Sequence, residues 1–91
     1  MALIEVDNLF LTDIESLKKE DRKLPAKVWD LIADILKNTN TPLSGIGKPE
    51  ALKNDLSGFF SRRITDKHRL IYKFTDGKLY LLSCYGHYSD I

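Results

Sequence analysis

The sequence predicts an α+β fold in the order β-α-α-β-β-β, with a two-helix hairpin packed on one face of an antiparallel sheet. Three features carry the prediction. Val28, Leu31, Ile32, Ile35 and Leu36 form an apolar stripe at helical spacing. The last third alternates apolar and polar residues, as half-buried strands do. Asp76-Gly77 joins two of those strands with a residue pair that tight hairpins favour.

The elements follow in order. Leu3-Ile4-Glu5-Val6 reads as a first strand, added at a sheet edge. Asp7 is placed to cap a helix over residues 8–21, whose apolar face is Leu11, Ile14 and Leu17, with Phe10 and Lys18 flanking. Glu20-Asp21-Arg22-Lys23 is a polar turn. Pro25 fits the first turn of a second helix, where its missing N–H costs nothing. Trp29 flanks the stripe of that helix, which ends at Asn38-Thr39-Asn40-Thr41-Pro42. Residues 43–48 form a loop around Gly45 and Gly47. Residues 49–53 are expected as a short helical turn with Glu50 and Lys53 on one face. Strands are expected over residues 59–64, 68–74 and 78–84. In the middle one, Leu70, Tyr72 and Phe74 face the helices, and Arg69 faces away.

Composition narrows the function classes. A chain of 91 residues suits one small domain, residues 1–91. No apolar run approaches the roughly 20 residues of a membrane helix, and MALIEVDN lacks the pattern of a secretory signal. The single cysteine, Cys84, has no internal disulfide partner, which fits a reducing cytoplasm. It ends an apolar strand, so packing is expected of it, not nucleophilic chemistry. Two histidines, one cysteine and scattered acids show no metal-ligand spacing, so no metal and no other cofactor is expected. Gly45-x-Gly47 has no strand before it and no Gly-Lys-Ser/Thr after it, which excludes a nucleotide P-loop. Residues 1–40 hold six basic and eight acidic side chains, whereas residues 41–91 hold eight and five. The positive half suits a polyanionic ligand.

That half also holds the residues able to do chemistry. Cleaving an RNA phosphodiester without a metal needs a base for the 2′-hydroxyl, an acid for the 5′-oxygen, and fixed cations for the developing charge. Glu50, His87, and Arg69 with Arg63 or Lys53 are residue types for these tasks. Each has a plainer reading alone. Glu50 is then a solvated carboxylate, and His87 an idle end. His68 is a turn or packing histidine. Arg62 and Arg63 alternate faces on a strand, so an acid of the helices can claim one of them.

Taken together, the segment GIGKPEALKNDLSGFFSRRITDKHRLIYKF and the later SCYGHY resemble the YoeB/Txe branch of the RelE/ParE toxin superfamily. The branch pattern is G-x-GKPE-x-L, LSG followed by two aromatics, SRRI, HRL-[IV]-Y and a terminal HY. The match covers Gly45 to Tyr88, about half the chain. The resemblance implies a toxin of a type II toxin–antitoxin pair, a ribosome-dependent and metal-independent endoribonuclease that cuts mRNA in the A site. It assigns Glu50 as general base, Arg69 as phosphate-stabilising cation, His87 as general acid, and Tyr88 as a shaping residue of the site. Lys48, Lys53, Arg62 and Arg63 are the cations set against RNA. The implied partners are a YefM/Phd-like antitoxin, the ribosome with its mRNA, and a second toxin copy. Ser89-Asp90-Ile91 depart from the pattern, in which the tyrosine is commonly last. Two other classes compete: a ParE-like poison that grips a topoisomerase without RNA chemistry, and a plain nucleic-acid-binding module. GKPE and HY speak against a mere binder, and no stacking platform of the RRM type is legible.

Overall fold

The computed structural model describes residues 3–87. Strand β1 is Leu3–Val6, helix α1 Asn8–Glu20 and helix α2 Leu24–Lys37. The two-residue strand β2, Glu50–Ala51, and a 3-10 turn over Asn54–Leu56 follow. Strands β3, Phe60–Arg63, β4, Arg69–Thr75, and β5, Lys78–Ser83, complete the sheet.

The side order is β1-β5-β4-β3-β2. Residues 38–49 carry the chain from α2 to the edge opposite β1, and the meander then steps back one strand at a time. The expected all-antiparallel sheet is corrected at one place. β1 lies at an edge as anticipated, but it runs parallel to β5. The meander fixes this direction, because its successive reversals bring β5 home pointing the same way as β1.

Local chemistry explains most boundaries. The Asp7 side chain accepts the Leu9 N–H at 2.9 Å and starts α1. Lys18 and Lys19 sit in its last turn, where the helix dipole favours cations. The inward face of α1 is turned by about one residue from expectation: Phe10, Asp13 and Leu17 are buried, and Leu11 is exposed. The larger Phe10 ring takes the core position and meets Trp29 edge-on. The α2 stripe packs as its spacing implies, with Val28, Leu31, Ile32 and Ile35 buried, while Leu36 lies at its rim. These residues meet Leu70, Tyr72, Leu79 and Leu81 of the sheet. The β4–β5 turn places Asp76 and Gly77 at φ 53° and 74°, both left-handed, as a two-residue hairpin needs.

The expected helical turn at residues 49–53 is also corrected. Glu50 and Ala51 pair instead with Ser61 and Phe60, and Leu52 N–H continues the ladder to Phe59 O at 2.9 Å. Edge pairing with β3 satisfies backbone groups that one short turn would leave to water. Further along, Ile71 pairs with Ser83 and Tyr72 with Leu81, so Leu82 is an extra residue in β5. Such a bulge bends a strand end, here just before the C-terminal segment.

Candidate active site

The sheet has one face under the helices and one open face. Residues paired across strands share a face, so the register assigns each candidate side chain to a face. Glu50 pairs with Ser61 and Ser61 with Ile71, while Arg63 pairs with Arg69. Ser61 and Arg63 lie two apart on β3, as do Arg69 and Ile71 on β4. All of these side chains therefore lie on the face away from the helices; Ser61 and Ile71 are buried there, whereas Glu50 is exposed and Arg63 and Arg69 are partly exposed. Glu50 and Arg69 stand roughly 12 Å apart at their Cα positions, from two strand spacings and two residue steps. Long side chains converging across that gap can bracket a phosphodiester.

The two arginines on this face are held differently. Like charges directly opposite one another disfavour a sheet, yet Arg63 and Arg69 are such a pair. The nearest acid to Arg63 is Asp66 at 3.8 Å, whose own side chain is 98% exposed. That is a weak surface pair. Arg69 Nη1 donates to the Thr65, His68 and Asp66 carbonyls at 2.6, 3.1 and 3.2 Å, which rests the guanidinium on the β3–β4 turn. Glu50 is exposed and lines an open cavity of about 400 Å³ with Lys53, Asn54 and Leu56.

Arg62 corrects an expectation. The resemblance sets it with the RNA-facing cations, but its register with Leu70 of β4 turns it under the helices, where it is 1% exposed. It forms an ion pair with Asp34 of α2. Its Nη1 and Nη2 donate to Ile46 O and Ser44 O at 3.0 and 3.1 Å, and Nε donates to the Tyr72 hydroxyl at 3.1 Å. The Arg62 hydrogen bond holds the Asp34 carboxyl below its ordinary range, and the Ile46 N–H at 3.1 Å adds to it. The glycine pair serves this clasp. A Cβ on Gly45 (φ 121°) would overlap the Asp34 carboxylate, and one on Gly47 (φ 79°) would press on Leu31 and the Arg63 carbonyl. The loop weakly reminiscent of a phosphate cradle is thus a fastening that delivers Lys48-Pro49-Glu50 to the sheet edge. Lys48 is exposed there, at φ 50°.

A second fastening holds the C-terminal segment. Asp13, buried in α1, accepts the Cys84 and Tyr85 N–H groups on one oxygen at 3.0 and 3.3 Å. Buried His68 accepts the Gly86 N–H on Nδ1 at 2.9 Å. Its proton therefore belongs on Nε2, which donates to Glu20 at 2.7 Å. Gly86 O accepts the Arg69 N–H at 2.9 Å. His87, half-buried, is the next residue. His68 is thus the packing histidine that its place before a strand foretold. Burial pushes the Cys84 thiol well above its ordinary value, as befits a packed and unreactive cysteine.

Phe59, just before β3, and Tyr80 of β5 meet edge-to-face at 6.3 Å. Lys73 Nζ stands 5.1 and 5.6 Å from their ring centroids. These residues line an open cavity with Glu5, Thr75, Lys78 and Leu82.

The fold therefore gathers Glu50, Arg63 and Arg69 on one face, opens Lys53 to the cavity beside Glu50, and ties the backbone before His87 to Arg69. It buries Arg62 elsewhere. Tyr88 and the three residues after it lie outside the described residues. Sequence reasoning missed Asp13, Glu20 and Asp34 as fasteners, and the Phe59–Lys73–Tyr80 cluster. Asp13 had a signal, since it is an acid among the apolar positions of α1.

A small α+β domain with a hairpin of helices on one face and a basic open sheet face has the architecture of RelE-type toxins. The YoeB-like toxins of bacterial type II toxin–antitoxin systems match over residues 7–88, and the chain belongs to that family. It is 50% identical over 70 residues to the toxin YoeB of Streptomyces coelicolor, covering 77% of this chain and 80% of that one. It is 46% identical over 71 residues to the toxin YoeB of Escherichia coli strain K12, covering 78% and 81%. Among solved structures, the YoeB dimer of Staphylococcus aureus superposes with a TM-score of 0.82 at 37% identity, covering 96% of this chain and 98% of that one. The heterotetrameric YoeB–YefM complex of the same organism gives 0.79 at 36% identity, covering 97% and 99%. The protein is a toxin of a type II toxin–antitoxin system.

Proposed function

We infer that this toxin is a metal-independent endoribonuclease acting on mRNA in the ribosomal A site. The supporting observation is the shared open face of Glu50, Arg63 and Arg69, with His87 following a backbone tied to Arg69. The Glu50 carboxylate takes the proton of the 2′-hydroxyl, whose oxygen attacks the adjacent phosphorus. Arg69 and Arg63 neutralise the charge that grows on the non-bridging oxygens. The bond from phosphorus to the 5′-oxygen breaks, and the His87 imidazolium gives its proton to that leaving oxygen. The products are a 2′,3′-cyclic phosphate and a free 5′-hydroxyl. Each of the acid and base roles is worth about 10²–10⁴ in rate. Lys48 and Lys53 flank Glu50 as contacts for the RNA backbone, and Tyr88 shapes the site.

The ribosome presents and orients the message. A YefM-like antitoxin is the inhibitory partner, as in the complex of the S. aureus relative; its acidic segment would cover Arg63 and Arg69. A toxin dimer parallels the S. aureus YoeB dimer. The test is a purified translation reaction on a defined message, with primer extension to map the ends. The wild type should cut within the A-site codon only when ribosomes are present. Glu50→Gln and His87→Gln should lose about 10²-fold or more in rate. Intact message with folded wild-type protein would overturn the reading and turn attention to topoisomerase binding.

A further inference from the structure

We propose that Glu20, His68 and Tyr85 form a positioning device for His87, a role beyond the acid–base set; the proposal rests on the cleavage reading above. Terminal segments that leave a sheet ordinarily fray unless something ties them down. Here three successive N–H groups, at Cys84, Tyr85 and Gly86, are each received by a side chain of another element. Asp13 takes the first two from α1, and His68 takes the third from just before β4. Gly86 has φ 81°, a left-handed conformation that favours glycine, so the backbone turns sharply one residue before His87.

The hold on Gly86 is two-sided. His68 Nδ1 accepts its N–H, and the Arg69 N–H donates to its carbonyl. His68, just before β4, and Arg69, its first residue, thus grip Gly86 on both sides, and the second is the arginine assigned to the phosphate. The acid and the cation are registered to each other through a single residue. Rotation of the His68 ring would release this grip, and two contacts oppose it. Nε2–H donates to Glu20 Oε2 at 2.7 Å, and the Tyr85 ring lies against the imidazole with centroids 4.4 Å apart. The Tyr85 hydroxyl closes the loop by donating to Glu20 Oε1 at 3.1 Å. Lys67 Nζ, 3.8 Å from the same oxygen, is the other charge facing the carboxylate. Burying a histidine and turning a helix-end acid toward it contributes little that an apolar pair would not. It does fix one tautomer, and only that tautomer accepts from Gly86.

A general acid misplaced by about 1 Å costs on the order of 10²-fold in rate. The variants are His68→Phe, which keeps a packed ring without either hydrogen bond, Glu20→Ala, and His68→Asn, whose amide oxygen can still accept from Gly86. Val28→Ala, a core truncation on α2, is the stability control. Folded fractions are matched by circular dichroism, and single-turnover cleavage is measured at saturating toxin alongside ribosome affinity. His68→Phe and Glu20→Ala should lose roughly tenfold or more in rate, with ribosome affinity unchanged. His68→Asn should recover part of the loss, and Val28→Ala should cut at the wild-type rate. NMR supplies a readout independent of cleavage: amide exchange at Gly86 and the His87 ring signals should sharpen or protect in wild type and loosen in His68→Phe. Full-rate cleavage by folded His68→Phe, or an unchanged Gly86 amide and His87 ring, would overturn the positioning role. A wild type that leaves message intact would instead overturn the cleavage reading, and the NMR arm would still decide whether His68 orders His87.

Discussion

Arg62 and Arg63 are neighbours in sequence and opposites in every physical respect. Arg62 is 1% exposed, its donors spent on Asp34, Tyr72 and the carbonyls of the Gly45–Gly47 loop. The Arg63 side chain is 40% exposed and has only a loose contact with an acid in solvent. One residue step on a strand reverses the face, so one of two identical side chains becomes a fastening and the other is left for the RNA contact proposed above. A buried arginine whose three nitrogens all donate within the fold has little left for a phosphate. One set opposite another arginine with little to neutralise it has an electrostatic reason to hold an anion.

The sharpest way to break this contrast is to truncate Arg62. Arg62→Ala strands the Asp34 carboxylate, the Tyr72 hydroxyl and two loop carbonyls in partly buried surroundings. Removing one partner of a buried pair costs about 3–5 kcal/mol, and the Asp34 side chain, 22% exposed, puts this case near the lower end. Urea denaturation should show that loss as a lower midpoint. A midpoint equal to wild type would mean that the loop does not depend on the arginine. Arg63→Ala should do the reverse. Its stability should stay within about 0.5 kcal/mol of wild type, while A-site cleavage falls roughly tenfold or more, as expected for a lost charge-assisted contact. Arg63→Lys should restore charge but not the planar fork, and so recover only part of the rate.

The sequence showed that residues 62 and 63 face opposite ways, but not which one faces in. That choice depends on register with β4, where Phe60 meets Tyr72 and Arg62 meets Leu70, and on Asp34 lying 28 positions earlier. Both are long-range facts that no local period records. The helices, the Asp76-Gly77 hairpin and the three long strands were legible because each carries its own periodicity or turn chemistry. β2 was not, since two residues are too few for a period. The direction of β1 was hidden for another reason: alternation says nothing of parallel or antiparallel pairing. Of the site, the resemblance supplied Glu50, Arg69 and His87, and the register then showed why Glu50 and Arg69 share a face. Partners such as Glu20, 48 positions from His68, appear only when the chain is folded.

Acid titration sharpens the contrast in a third way. The Arg62 hydrogen bond lowers Asp34, and the His68 hydrogen bond, foremost among several causes, lowers Glu20. A carboxyl depressed in the folded state stabilises the fold above its unfolded value. That stability is lost as pH falls through the folded value. Stability should therefore be level around neutrality and decline below about pH 4, from the ordinary carboxylate range. Arg62→Met removes the cause at Asp34 and should flatten part of the decline, whereas Arg63→Met should leave the curve as it is. Urea midpoints measured from pH 7 to pH 3 for the three proteins decide it, and parallel curves would detach Asp34 from Arg62.

Lys73 is the intermediate case, and its effect should be the smallest. Like Arg63 it stands on the open face, but it is claimed by two rings, with Nζ 5.1 Å from Phe59 and 5.6 Å from Tyr80. An exposed cation–π contact is worth about 0.5–1 kcal/mol, so an approaching phosphate competes for a partly engaged charge. Lys73→Ala should weaken substrate or ribosome affinity by no more than about fivefold, the value of a surface ion pair of up to about 1 kcal/mol read as a binding ratio. The rate at saturation should hold, because Lys73 lies four residues along β4 from Arg69, roughly 13 Å at strand rise. A loss at saturation as large as that of Arg63→Ala would mean that the reacting phosphate reaches further along the sheet than the Glu50–Arg69 bracket. The active face would then extend to the Phe59–Tyr80 pair.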